Sequence, residues 1–147
     1  MMEVRVINEN EIDEVAQLEQ QCFPDPWSAR SIQETYQQKN ALILGGWKND
    51  EMIGYVIFYY VLDVFDIERI AVAPSCRRTG AATEVFRGLL KVCEEKEITR
   101  IMLDVRESNV PAITFYRKCG FAEDGVRKSF YTNPTENAVL MSMDVGK

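Results

Sequence analysis

The stretch from Phe65 to Lys96 most narrows what this chain can fold into. An apolar run, Phe65 to Val72, enters the cationic turn Pro74-Ser75-Cys76-Arg77-Arg78-Thr79-Gly80-Ala81-Ala82. A helical pattern is predicted from Thr79 to about Lys96, with Val85, Leu89, Val92 and Cys93 on one face. The next apolar run, Arg100 to Val105, is then delivered parallel to the first, because a helix is the usual crossover between parallel strands. The turn has the makings of an anion site. Small residues at Gly80, Ala81 and Ala82 let a ligand approach the backbone, and first-turn N–H groups lack a helical acceptor. The helix dipole favours a phosphate or pyrophosphate there, and Arg77 and Arg78 add charge. The turn has neither the Gly-Lys-Ser/Thr ending of a nucleotide hydrolase loop nor the three glycines of a dinucleotide turn, so another phosphate-bearing ligand is expected.

The remaining segments build around this unit. Glu3 to Ile7 alternates as a strand, and Asn8 to Asn10 offer caps for a helix reaching about Cys22, with Ile12, Val15, Ala16 and Leu18 on one face. Phe23-Pro24-Asp25-Pro26-Trp27-Ser28 is a stiff aromatic loop, and Ser28 caps a second helix through about Gln38. Ala41 to Trp47 and Met52 to Val61 pair as a hairpin around Lys48-Asn49-Asp50-Glu51. Ser108 or Asn109 caps a helix that stops at Cys119-Gly120, with Gly120 in the left-handed conformation. Phe121 to about Arg127 and Ala138 to Met143 are the last strands, joined around Tyr131-Thr132-Asn133-Pro134. The result is a mixed sheet with helices on its faces.

Composition removes several chemistries. The 147 residues contain no histidine, which excludes Ser-His-Asp and Cys-His machinery and leaves Asp, Glu, Tyr, Lys or Cys for proton transfer. Cys22, Cys76, Cys93 and Cys119 are far apart with no Cys-x-x-Cys pair, so neither a zinc site, nor any other metal, nor a disulfide framework is expected. Arginines beside Cys76 favour a thiolate, yet an idle thiol next to a phosphate turn is the simpler expectation. A net charge of −6 disfavours nucleic acid and suits an amine-bearing substrate, while also serving solubility alone. A single domain over residues 1–147 is expected from the 46% hydrophobic content. The start, Met1-Met2-Glu3-Val4-Arg5, has no long apolar run and no stretch is long enough to span a bilayer, so a cytoplasmic protein with no membrane partner is expected.

Two motifs in order carry a resemblance. Arg77-x-x-Gly80-x-Ala82 before one helix, then Asn109 and Phe115-Tyr116-x-x-x-Gly120-Phe121 after the next strand, resemble the GNAT acetyltransferase superfamily. Leu103-Asp104-Val105-Arg106-Glu107-Ser108-Asn109 with Ala112-Ile113 and Tyr116, the Phe23 to Ser28 loop and Arg127-Lys128-Ser129-Phe130-Tyr131 are similar to its RimI branch, the ribosomal-protein-alanine N-acetyltransferases. The resemblance implies an α/β GNAT fold: a mixed, mostly antiparallel seven-stranded sheet, four helices and a central parallel strand pair that splays apart. It implies transfer of acetyl from acetyl-CoA to the N-terminal α-amine of a small-subunit ribosomal protein beginning with alanine, directly in a ternary complex. Other protein N-termini, lysines or small amines are the alternative acceptors, and an acyl-CoA-sensing module without turnover is the alternative of another class.

The same resemblance distributes roles. Ile70, Ala71 and Val72 would meet the pantetheine arm, Ile70 and Val72 foremost. Arg77, Arg78, Thr79, Gly80, Ala81 and Ala82 would hold the pyrophosphate, and Asn109 either contacts the cofactor or simply caps its helix. Asp104 stands where the family carries a glutamate base, with Glu68 on the neighbouring strand as the alternative; strand alternation puts Asp66 and Glu68 on one face. Tyr116 matches the family's acid and also contacts the cofactor. Phe23, Trp27 and Tyr131 would wall the peptide site, and the acidic residues Asp25, Glu107 and Glu136 are candidates to hold a basic peptide.

Overall fold

The near-continuous apolar runs of the second and third strands, Ala41–Lys48 and Glu51–Val61, call for cover on both faces of the sheet, and where a face is left uncovered the site opens. The computed structural model describes residues 2–146; Met1 and Lys147, the ends of the expected domain, lie outside the described residues. The order is β1 (Glu3–Val6), α1 (Ile12–Cys22), α2 (Ala29–Tyr36), β2 (Ala41–Lys48), β3 (Glu51–Val61), β4 (Val64–Val72), α3 (Ala81–Glu95), β5 (Arg100–Arg106), α4 (Val110–Cys119), β6 (Ala122–Tyr131) and β7 (Glu136–Asp144). The seven strands lie in the spatial order β1-β2-β3-β4-β5-β7-β6, and β4–β5 is the parallel pair. The expected fold class is the observed one. The last two strands run longer than the sequence pattern indicates, and a short 3₁₀ turn, Pro74–Cys76, precedes the α3 turn.

α3 and α4 cover one face. Val85, Phe86, Leu89 and Cys93 of α3 and Tyr116 of α4 pack with Phe58, Phe65, Ile67, Ile101, Leu103, Val105 and Met141. Each large side chain of this kind stabilises the fold by about 1.5–3 kcal/mol on burial. α1 and α2 cover β2 to β4 on the other face, through Val15, Leu18 and Ile32 against Ile43, Tyr55, Ile57 and Ala71. On that side β5 carries Met102 and Asp104 into solvent, with Met102 41% exposed.

Two local features place the site. β4 and β5 pair only from Val64/Arg100 to Ile67/Leu103; beyond that β4 stays with β3, β5 stays with β7, and the two part. Just there β4 carries a bulge: Phe58 faces Ile67 and Ile57 faces Arg69, leaving Glu68 as the extra residue. The bulge reverses the alternation. Phe65 and Ile67 point into the α3/α4 core, whereas Ala71 and Arg69 face α1.

Candidate active site

The anion turn is built as its residue types dictate. Arg78 and Gly80 take left-handed φ values of 63° and 85°, and no atom lies within 4 Å of where a Cβ at Gly80 would sit, so conformation alone calls for glycine there. The first helical bond of α3 runs from the Glu84 amide to the Gly80 carbonyl at 3.1 Å, which leaves the amides of Ala81, Ala82 and Thr83 without a helical acceptor. Thr79 donates its hydroxyl to the Cys76 carbonyl and tightens the turn. In front lies a cleft of about 230 Å³ lined by Val72, Arg77, Arg78, Gly80, Thr83 and Phe115. Arg77 is partly engaged already: its Nε donates to the Val72 carbonyl at 3.2 Å, and Cys22 Sγ reaches the same oxygen at 3.5 Å. The carbonyl of Val72 is thus engaged from within the protein on the edge of β4 that faces the gap. Asn109 caps α4, its Oδ1 accepting from the Ala112 amide at 3.3 Å. Phe115 is a lining residue the sequence reading left out, although it adjoins Tyr116.

The opposite mouth of the gap is acidic. Asp66 and Glu68 on β4 and Asp104 on β5 act on one another across the helix-free face. Solvent still reaches Glu68, but the surrounding cleft, then Asp66 and Asp104, raise its carboxyl above the ordinary range. Asp66 is raised in the same way, by desolvation first and Asp104 second. Tyr131 stands over this group; burial, then Asp104, push its phenol up. Tyr116 is packed between Phe115 and Phe121, at ring separations of 5.6 and 5.5 Å, and burial drives its phenol well above the usual value, with smaller contributions from Cys119 and Tyr131. It stays protonated at neutral pH.

Two arginine clamps, neither anticipated from sequence, hold the walls. Arg69 forks onto Glu19 of α1 through Nη2–Oε1 at 2.6 Å and Nε–Oε2 at 3.1 Å, and its guanidinium stacks 3.9 Å from the Phe23 ring and 5.2 Å from the Trp27 ring. Glu19 is fully buried. It also accepts from the Tyr55 hydroxyl and from the Trp27 amide at 2.8 Å. Burial alone would raise its carboxyl, but the bonds from Arg69, Tyr55 and Trp27 hold it below the ordinary range. On β5, Arg106 stacks 4.6 Å from the Tyr131 ring, bonds Glu136 at 3.1 Å and donates to the Thr132 and Pro134 carbonyls at 3.0 Å each. Glu136 in turn accepts from the Ser108 amide at 2.6 Å. This corrects one expectation: Glu136 is occupied within the protein and is not free to hold a basic peptide. Of the other two candidates, Glu107 approaches the Asn137 side chain at 3.5 Å.

Residues 12–121, which include the parallel pair and the turn before α3, match the acetyltransferase (GNAT) family. The chain belongs to that GNAT family. It is 33% identical over 135 residues to the ribosomal protein bS18-alanine N-acetyltransferase of Haemophilus influenzae, covering 90% of this chain and 91% of that protein. It is 29% identical over 130 residues to the protein so named in Escherichia coli K12, covering 87% of each. The crystal structure of the E. coli ribosomal-protein-S18-alanine N-acetyltransferase superposes with a TM-score of 0.92 at 26% identity, over 100% of this chain and 96% of that one. As a GNAT enzyme the protein is an acetyl-CoA-dependent N-acetyltransferase. The open amides of α3 and the gap beside them have the chemistry to take such a donor, since a diphosphate would suit the former and an extended arm the unpaired edges of the latter. Among the described residues no helix is long and apolar enough to cross a membrane.

Proposed function

We propose that this acetyltransferase acts on the N-terminal α-amine of ribosomal protein bS18, an alanine terminus, by direct transfer in a ternary complex, and that it works in the cytoplasm. The observation that carries the reading is the parted β4–β5 pair, with anion-binding amides behind it and a carboxylate-lined, helix-free face in front. The names of the relatives point the same way. Acetyl-CoA supplies an activated acetyl thioester. The amides of Ala81, Ala82 and Thr83, with Arg78, would hold its diphosphate end, and Ile70 and Val72, whose backbone groups turn from β3 toward the gap, its arm.

The chain's own residues then manage protons. An α-amine has a pKa of about 8, far nearer neutrality than a lysine at about 10.4, so a carboxylate suffices to take its proton. Asp104 stands at the motif's base position, and Glu68, raised by its surroundings, is the second carboxylate within the same group. Tyr116 is the acid. Held protonated by burial, it donates to a departing thiolate whose own pKa is about 8.5. No cysteine is required as a nucleophile, and burial raises the thiols of Cys22, Cys93 and Cys119, that of Cys93 to about 12.

The test is incubation with acetyl-CoA and a panel of alanine-initiated peptides, α-blocked lysine peptides and small amines, read by mass spectrometry. One acetyl on the α-amine of the alanine peptide is expected. Transfer to small amines alone overturns the acceptor, and donor binding with no product on any amine replaces the enzyme with a sensing module. Tyr116→Phe should lower kcat by about 10²-fold or more while the affinity for acetyl-CoA holds.

A further inference from the structure

The loop from Phe23 to Trp27 has almost no backbone support of its own. Two of its residues are prolines without N–H groups, and the amides of Phe23 and Trp27 both end on one residue: Phe23 N on the Glu19 carbonyl at 3.0 Å, Trp27 N on the Glu19 carboxylate at 2.8 Å. That carboxylate is fixed by Arg69, and Arg69 lies under both aromatic rings of the loop. Arg69 reaches this position only because the bulge at Glu68 turns it toward α1; regular alternation would have sent it into the α3/α4 core. The same bulge sets Glu68 among the carboxylates of the open face. One peptide bond therefore ties the aromatic wall to a group of the reaction centre.

A buried Arg–Glu pair is not needed for stability as such, since apolar residues of equal volume commonly serve as well or better. The fork geometry has a different use. A planar guanidinium can donate two bonds to a carboxylate along its edge and carry aromatic rings on its faces together, which an ammonium cannot. Resting on the acceptor function given above, we propose that Arg69 is a positioning residue for the acceptor. Clamped by Glu19, it holds Phe23 and Trp27 as one wall of the peptide channel and so sets acceptor affinity without contacting the reacting atoms.

Two variants test this. Arg69→Lys keeps the charge that Glu19 requires but loses the fork and the stack; Glu19→Gln with Arg69→Met removes both charges and keeps the volume. Each is made in the full chain and, in parallel, in a Trp47→Phe background where Trp27 is the single tryptophan. The peptide KM should rise about tenfold, since small misplacements of substrate-holding groups cost that much or more, while the KM for acetyl-CoA stays at the parent value. Trp27 emission should shift to the red and become more open to acrylamide. An unchanged peptide KM in a folded variant, or an equal rise in the acetyl-CoA KM, overturns the proposal. Should the parent acetylate a different amine, the ribosomal acceptor is lost, but the same split measured with that amine still decides the role of Arg69. Unaltered Trp27 quenching in both variants refutes it in either case.

Discussion

Arg69 and Arg106 stand on the two strands that part, and each joins a carboxylate to an aromatic wall, but they do so at different depths. The Arg69 and Glu19 side chains are 19% and 0% exposed; those of Arg106 and Glu136 are 33% and 16% exposed. The deep clamp connects three elements, α1, β3 and β4, through a carboxylate with no access to water. The shallow one ties β5 to the turn between β6 and β7 and works against solvent competition. Breaking the pair should therefore cost folding as well as orientation on the deep side and mainly orientation on the shallow one.

The sharpest way to break that contrast is to remove each arginine. Arg69→Ala leaves a buried carboxylate with one cationic partner gone, and the loss should be about 3–5 kcal/mol in urea unfolding. Arg106→Ala should move the urea midpoint far less, because water replaces what the arginine gave. Equal shifts would mean that depth does not separate the two clamps.

Acid titration is the next largest effect. The folded state holds the Glu19 carboxyl below its unfolded value of about 4.3, so its contribution is fully present above that pH and is lost as pH falls through the lowered value. Glu19→Gln should therefore weaken the protein at neutral pH and flatten the acid limb of its stability curve. Glu11, held low by its bond to Arg5 at 2.7 Å, keeps part of that limb in place. The open face has the opposite sign. Glu68 is raised on folding, so ionising it costs stability as pH rises through the carboxylate range, and Glu68→Gln should give a small gain in Tm at pH 7 together with a lower kcat. A fall in Tm would show that Glu68 is stabilised by a partner.

Much of this was legible in the chain. The strand, cationic turn and helix from Phe65 to Lys96 pointed to the parallel crossover that β4, α3 and β5 form, and the small residues at Gly80 to Ala82 marked where α3 begins. The clamps were not legible, for a reason that the bulge supplies. Period-two alternation has no means of signalling an extra residue, so Arg69 reads as a core-facing position in an apolar strand, which is the one place a lone arginine would not be put. Its partner left a fainter trace. Ile12, Val15, Ala16 and Glu19 follow the spacing of one helical stripe, so Glu19 occupies an apolar-facing position and should have prompted a search for a buried cation. Arg106 and Glu136 lie 30 residues apart with nothing local to connect them. Only the pairing of β5 with β7 does so.

The smallest effect probes the shallow wall without disturbing its clamp. Tyr131→Phe preserves the ring on which Arg106 stacks, and Arg106 keeps its bonds to Glu136 and to the Thr132 and Pro134 carbonyls, so the turn should hold its shape. What disappears is a phenol that burial and Asp104 keep protonated above the carboxylates. If that hydroxyl bonds the incoming peptide, its loss should raise the peptide KM about threefold to tenfold, the range of one ordinary hydrogen bond, with the urea midpoint unmoved. Arg106→Gln releases the turn itself, and its effect on peptide KM should exceed that of Tyr131→Phe. Were the two equal, the arginine would act only through the phenol; were Tyr131→Phe silent, the ring and not its hydroxyl would be what the acceptor meets on the β5 side.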